Sequence, residues 1–356
     1  MNPATRPRGR RDDVRLLAID RRSGETLDGA VDDLCGLLRP GDLLIVNDAA
    51  TLPASLHGAS LDGSEIELRL AGRGERGRWS AVIFGAGDWR TPTEERGAAP
   101  LLGVGERLVF GDDGESLRAR VVAVDPRHPR LVEVEFEVDE EELWAGLYRL
   151  GAPVQYAYLD GALDLWSVQS VFAGPPWAFE MPSAGRPLSW GVLQRLVSQG
   201  VEVARITHAA GLSSTGDPRL DRLLPLPERY AIPGSTVAAI ARTKAVGGRV
   251  IAVGTTVIRA LEGSFICHGE LRPGAGVTDF LLSEETELAV VDGVITGMHG
   301  PGESHRHLLE AFASPALLDR AWAHAVEAGY LAHELGDIAL LADFDGGALR
   351  AASGPA

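Results

Sequence analysis

Side chains able to move a proton or hold a polar ligand collect where the apolar runs of this sequence give out. Asn47-Asp48 follow DLLIV, His208 closes VEVARITH ahead of Ser213-Ser214-Thr215, and Thr255-Thr256, with Arg259 one turn on, follow RVIAVG. His299 comes just after DGVITGM. An imidazole or a carboxylate at such a point can serve as a general base. A strand, Gly254 and a helix start in succession leave backbone N–H groups and hydroxyls facing the space beyond the strand's carboxyl end, where open α/β sheets take ligands. Each pattern is also that of an ordinary turn; recurrence at the strand ends of one sheet is what marks them as one candidate site. HGPGESHRH, residues 299–307, admits a metal reading, with His299, His305 and His307 as imidazole ligands and Glu303 as a carboxylate. It is not an HExxH signature and neither cysteine is near, so no metal is expected. No GxSxG, P-loop or GxGxxG in a βαβ setting is present, which argues against serine hydrolase, P-loop NTPase and Rossmann dehydrogenase chemistry.

These residues need a sheet to bring them together. VRLLAID (14–20), DLLIVN (42–47), VEVARITH (201–208) and RVIAV (249–253) read as short buried strands. Helical spacing covers 31–38, 188–200, 237–246 and 321–332, with a further helix start at 307–312. LAVVDGVIT (288–296) reads as a hairpin. From 57 to about 138 the texture changes to alternating runs, EIELRL, WSAVIF, ERLVF, LRARVVAV and LVEVEFEV, parted by Gly, Asp and Pro turns. The expected fold class is α/β: a larger mixed-sheet domain from residues 1–56 and 151–356, interrupted by a small antiparallel β-barrel domain at 57–150.

Composition narrows the function. A chain of 356 residues with 45% hydrophobic and 24% charged residues has the apolar mass for about two globular domains. No apolar run reaches the roughly 20 residues of a membrane helix and no signal-peptide core is present, so a cytoplasmic protein is expected. Cys35 and Cys267 are expected as buried small apolar residues. The formal charge of −16 disfavours a broad polyanion-binding face, and the local basic patch of Arg6, Arg8, Arg10 and Arg11 is expected to be a solvated tail.

The motifs themselves resemble a known family. RDDVRLLAIDRRSGE is similar to the R-x-x-x-RLL-x-LDR-x-x-G opening of the S-adenosylmethionine:tRNA ribosyltransferase-isomerase family, RPGDLLIVND to its RPGDLLVFND and VQSVFA to its YQTVYA. Pro182-Ser183-Ala184-Gly185 resembles its PTAG, THAAG its LHVG, ERYAIP its SEYYEVP and LGDIALL its YGDAMLI. GGRVIAVGTTVIRALE is nearly the family's GGRVIAVGTTSVRTLE and is the most specific match.

The resemblance implies a β-barrel inserted in an α/β domain, S-adenosylmethionine as co-substrate without a metal, and transfer of its ribosyl group to tRNA in queuosine biosynthesis, with release of adenine and methionine. A base takes a proton from C5′ beside the sulfonium, which acidifies that C–H. It assigns Gly254, Thr255, Thr256 and Arg259, with Pro182, Ala184, Gly185 and Gln169, to the donor site, Asn47 and Asp48 to the ribose or acceptor, His208 or His299 as the base, and Glu228 and Asp337 as supporting carboxylates. The sequence also departs from the pattern. Ala50 and Ser55 stand where the family has arginines, and the segment TNFHLPKST reads TGMHGPGES at 296–304. A diverged member applying the same sulfonium chemistry to a small-molecule acceptor, a catalytically inactive binding protein and a His-cluster metal hydrolase are the alternatives. The protein is expected as a monomer or small homo-oligomer with no membrane partner.

Overall fold

The computed structural model describes residues 1–111 and 116–344. Five strands precede the barrel: β1 (Asn2–Pro3), β2 (Arg15–Asp20), β3 (Thr26–Ala30), β4 (Leu43–Asn47) and β5 (Ala50–Thr51). The barrel strands are β6 (Ser55–Ser60), β7 (Glu65–Arg73), β8 (Arg78–Phe84), β9 (Arg107–Phe110), β10 (Leu117–Val124) and β11 (Leu131–Phe136). After them come β12 (Pro176–Ala178), β13 (Glu202–His208), β14 (Glu228–Ile232), β15 (Val250–Val253), β16 (Gly274–Thr278), β17 (Gly293–Gly297), β18 (Leu331–Ala332) and β19 (Ile338–Ala342).

Nine strands make one mixed sheet in the order β16-β14-β13-β4-β15-β17-β19-β2-β3. The centre is parallel: β4 lies between β13 and β15, and β15 pairs with β17. These strands are apolar on both faces, as burial under helices on each side requires. Leu43, Ile45, Val250, Ala252 and Val294 enter one core, while Leu44, Val46, Ile251, Val253 and Ile295 enter the other. The first core is covered by helices Gly234–Ala245, Thr255–His268 and Pro315–Glu327, the second chiefly by Trp190–Ser198 and Leu34–Leu37.

The pairing register sets the site. Asn47 is opposite Ile206 and Val253 opposite Ile295, so the carboxyl ends of four parallel strands reach one edge. Antiparallel β19 starts at that edge, with Ile338 opposite Gly297. The chain leaves the edge after β4 to form a closed antiparallel barrel in the order β10-β11-β8-β7-β6-β9. Phe179 and Ala209 join the barrel core, and Leu212, Leu220 and Leu226 pack with Val82 and Phe84, so the barrel faces the strand ends.

Several sequence expectations are corrected. Residues 288–296 form no hairpin, because the N–H groups of Ala289, Val290 and Val291 donate to the buried Glu262 carboxylate at 3.0, 3.0 and 2.9 Å; only Gly293–Gly297 is a strand. The last long helix begins at Pro315, capped by the Ser314 hydroxyl, well before the expected 321. The basic N-terminus is docked: β1 pairs with β18, Ala4 is buried, and the Arg11 guanidinium donates to the carbonyls of Gln169 and Arg186. Cys35 is half-buried, and Cys267, near the carboxyl end of its helix, is exposed and not a core residue. No helix among the described residues is long and apolar enough to cross a membrane.

Candidate functional site

The junction after β15 is built on one glycine. Gly254 has φ of +90°, a conformation L side chains resist, and turns the strand directly into helix Thr255–His268. No side chain caps this helix; Val257 N donates to Gly254 O at 3.2 Å, which leaves the N–H groups of Thr255 and Thr256 for a ligand. Thr255 is 8% exposed and Thr256 half-buried. The turn Ser183–Gly185, with Pro182 before it, lies against this junction: a Cβ on Gly254 would sit 3.5 Å from Ala184, and one on Gly185 would strike Phe172 at 2.8 Å.

Asn47 is the joint of the edge. Its Nδ2 donates to His208 O at 3.0 Å and to Thr256 Oγ1 at 3.3 Å, while its Oδ1 accepts from His208 N at 2.9 Å and Ala49 N at 3.1 Å. The side chain, 3% exposed, therefore ties β4, β13 and the Thr255–His268 helix together. Asp48 accepts from Thr207 Oγ1 at 2.5 Å and lies 3.5 Å from Arg205 Nε; burial pushes its carboxyl above the usual range. Gln169 serves the neighbouring strand end, with its amide bonded to Thr51 N and Thr51 O at 2.9 Å each.

Beneath lies a buried charged group. Glu228, 5% exposed at the start of β14, accepts from Gly211 N at 2.5 Å and forms a salt bridge with Arg259, 3% exposed. Gly211 leaves room for this contact, since a Cβ there would come 2.9 Å from Glu228 Oε1 and push the carboxylate aside. Arg259 also donates to Phe280 O at 2.9 Å, and burial pulls its guanidinium down to about 10, so it stays charged at neutral pH. His208 has no exposure; its Nε2 is 3.5 Å from Glu228 Oε2, and neither ring nitrogen makes a hydrogen bond. Burial first, and the Arg259 charge second, pull His208 down to about 3.

His299, beyond β17, is the accessible imidazole. Its side chain is 19% exposed, Nδ1 lies 3.4 Å from Glu303 Oε2, and the ring stacks on His305 at 4.9 Å. His305 is held neutral, pulled down to about 3 chiefly by burial. The third histidine of the stretch, His307, is exposed and turned to Glu310 at 3.3 Å, so the three imidazoles do not converge. Asp337 lies on the same edge, 1% exposed, but its oxygens accept from Arg8 and from Arg15 N at 2.7 and 2.9 Å and from Leu331 N at 2.8 Å, which clamps the N-terminal arm.

The family described as queuosine biosynthesis protein matches residues 2–341. The chain belongs to this family. Among its relatives, the S-adenosylmethionine:tRNA ribosyltransferase-isomerase of Sorangium cellulosum is 33% identical over 96% of each chain. The enzyme of the same name from Azoarcus sp. is 34% identical over 95% of this chain and 93% of its own. The crystal structure of S-adenosylmethionine tRNA ribosyltransferase from Thermotoga maritima shares the fold, with a TM-score of 0.52, 23% identity and coverage of 95% of this chain and 96% of that one.

Against this family background, some polar residues near the site escaped sequence reasoning. Glu67 and Arg69 stand in EIELRL where alternation suggests a wet face, yet they are 2% and 0% exposed and form, with Ser55 and Arg96, a buried network. Ser55, where the resemblance puts an arginine, donates to Glu67 Oε1 at 2.6 Å. Glu180, inside WAFEM, accepts from Tyr156 Oη and from Ser213 N at 3.1 Å. A charged residue within an apolar run was the available signal for it.

The depressed His208 makes the family member acid-sensitive. The unfolded chain binds a proton at this residue near pH 6.5 whereas the folded one waits until about 3, so its contribution is complete above 6.5 and is lost progressively as pH falls towards 3. At pH 5 the loss is about 2 kcal/mol from this one group. Urea midpoints at pH 7.5, 6 and 5 should fall in that order, with a smaller fall in His208→Gln; equal slopes for the two proteins would remove His208 as the cause.

Proposed function

We propose that the protein is an S-adenosylmethionine-dependent ribosyltransferase-isomerase acting on tRNA in the cytoplasm, releasing adenine and methionine. The observation that carries the reading is the uncapped helix start at Thr255-Thr256, braced by Asn47 and the Ser183–Gly185 turn, in a chain matched by the queuosine family over residues 2–341. Thr255, Thr256 and Gly254 hold the donor, with Pro182, Ala184 and Gly185 alongside. Asn47, Asp48 and Gln169 position the strand ends rather than touch substrate. Arg259 and Glu228 form the charged floor under His208, and Asp337 fixes the N-terminal arm.

Of the two histidines, His299 is the base. A base must reach C5′ of the donor in solvent-accessible space. His299 has the exposure and a carboxylate at Nδ1 to set its tautomer, whereas His208 is sealed and neutral. The sulfonium acidifies the C–H, so the step needs placement and a proton acceptor only.

Incubating the protein with S-adenosylmethionine, with and without tRNA carrying a 7-aminomethyl-modified guanine, and following products by mass spectrometry tests the reading. Adenine and methionine released only with tRNA support it. Release without tRNA supports a diverged member using the same chemistry on a small-molecule or no acceptor, the reading favoured by Ala50 and Ser55 in place of arginines, and intact donor throughout counts against both. For the donor site, Thr255→Val should weaken S-adenosylmethionine binding about tenfold by calorimetry, the worth of one hydrogen bond. Unchanged affinity would remove the turn from the donor site.

A further inference from the structure

Buried guanidiniums elsewhere in the protein are neutralised. Arg69, Arg249, Arg259 and Arg306 each hold a carboxylate. Arg186, 5% exposed just past the Ser183–Gly185 turn, holds none among the described residues. Its Nε donates to Ser167 O at 2.8 Å, while its two terminal nitrogens lack a partner among the described residues and reach solvent.

A second cation stands beside it. Arg11, from the N-terminal arm, donates from Nη1 to Arg186 O at 3.2 Å and to Gln169 O, and it too forms no ion pair with a carboxylate among the described residues. Asp12, next in the chain, is engaged instead by Arg10 Nε at 3.2 Å and Ser189 Oγ at 2.7 Å. Burial, and then the Arg11 charge, pull the Arg186 guanidinium down to about 10, so it stays charged at neutral pH. The arm that carries Arg11 is itself fixed on both sides, through Arg8 to Asp337 and through Asp12 to Ser189.

Two like charges held together out of bulk water are unfavourable until an anion joins them. A guanidinium fork offers parallel N–H donors that match the two oxygens of a carboxylate or a phosphate. The pair lies on the donor edge, because Ala184, two residues before Arg186, would stand 3.5 Å from a Cβ on Gly254 at the start of the Thr255–His268 helix. We propose that Arg11 and Arg186 form a binding site for an oxyanion group, a carboxylate or a phosphate, at this edge of the sheet. The carboxylate of S-adenosylmethionine is one source, and that arm of the test rests on the functional reading above. Phosphate is the other source, and for it the site stands without that reading.

Calorimetry of the full chain with S-adenosylmethionine and with its decarboxylated analogue, beside thermal midpoints in inorganic phosphate, tests the site. If the oxyanion is the donor's carboxylate, the wild type should bind the analogue at least about tenfold more weakly than the donor, and Arg186→Gln should bind the two alike. If it is a phosphate, the two compounds should bind alike, and phosphate should raise the thermal midpoint of the wild type but not that of Arg186→Gln. Without anion, the midpoint of Arg186→Gln should stay level or rise, because an unneutralised buried cation is removed. Arg11→Gln should reproduce either loss and keeps the test decisive if the first variant does not fold. Equal affinity for donor and analogue in the wild type, with no phosphate response, overturns the proposal. So does a variant that loses affinity for donor and analogue by the same factor, the mark of a purely structural role beside the turn. A wild type that binds neither compound fails the functional reading, and the phosphate response alone then decides the site.

Discussion

His299→Gln should cut turnover by about 10²–10⁴-fold, the range for removing a positioned general base, while donor affinity and the thermal midpoint stay near wild type. The side chain stands half-buried beyond β17, and its contacts are one stacked ring at 4.9 Å and one carboxylate at 3.4 Å, so little of the fold depends on it. With donor deuterated at C5′, any primary isotope effect of the wild type should persist or grow in the variant, because slowing the proton abstraction makes that step more fully rate-limiting. His208→Gln should behave differently. That residue is sealed at the end of β13 beside Glu228, and its replacement should lower stability first and activity in proportion to the folded fraction. A folded His299→Gln that keeps turnover, beside a folded but dead His208 variant, would move the base to His208.

The two histidines show what the sequence could and could not convey. Both end apolar runs, and local spacing treats them alike. Burial separates them, and burial depends on Arg259 and Glu228, which come together from positions 31 residues apart. What was legible is what repeats locally. Period-2 alternation announced the barrel, and short apolar runs cut by polar residues placed four strand ends on one edge. Long-range pairing was not legible. LAVVDGVIT reads as a hairpin because nothing nearby reveals that Glu262, on another helix, takes its N–H groups in place of a strand partner. The arginines of the N-terminus read as a solvated tail because Asp337, which holds Arg8, lies 329 positions away. EIELRL hides an internal ion pair because alternation cannot tell a wet face from one covered by Arg96 and Tyr156. The same limit applies to Arg186, whose meaning is the missing carboxylate and not the residue type.

Glu228→Ala should cost about 3–5 kcal/mol, the usual penalty for stripping one partner from a buried ion pair. Arg259 would keep only its bond to Phe280 O, and Gly211 N would lose its acceptor. The urea midpoint should drop accordingly. In Glu228→Leu combined with Arg259→Met most of that loss should return, because the pair's attraction largely repays a desolvation cost that apolar replacements never incur. Persistence of the full loss in the double variant would mean that Glu228 stabilises the fold through Gly211 rather than through the cation. Arg259→Met alone should also change how His208 titrates. Removing the guanidinium leaves Glu228 Oε2 3.5 Å from a histidine no longer repelled by a cation, so His208 should titrate above its present value of about 3. The acid-induced loss of stability between pH 5 and 3 should then shrink, since the folded and unfolded pKa values of His208 draw together and the folded protein begins to bind the proton within that window. An undiminished acid loss in this variant would leave burial alone as the cause of the shift and would assign Arg259 to holding Glu228 in place.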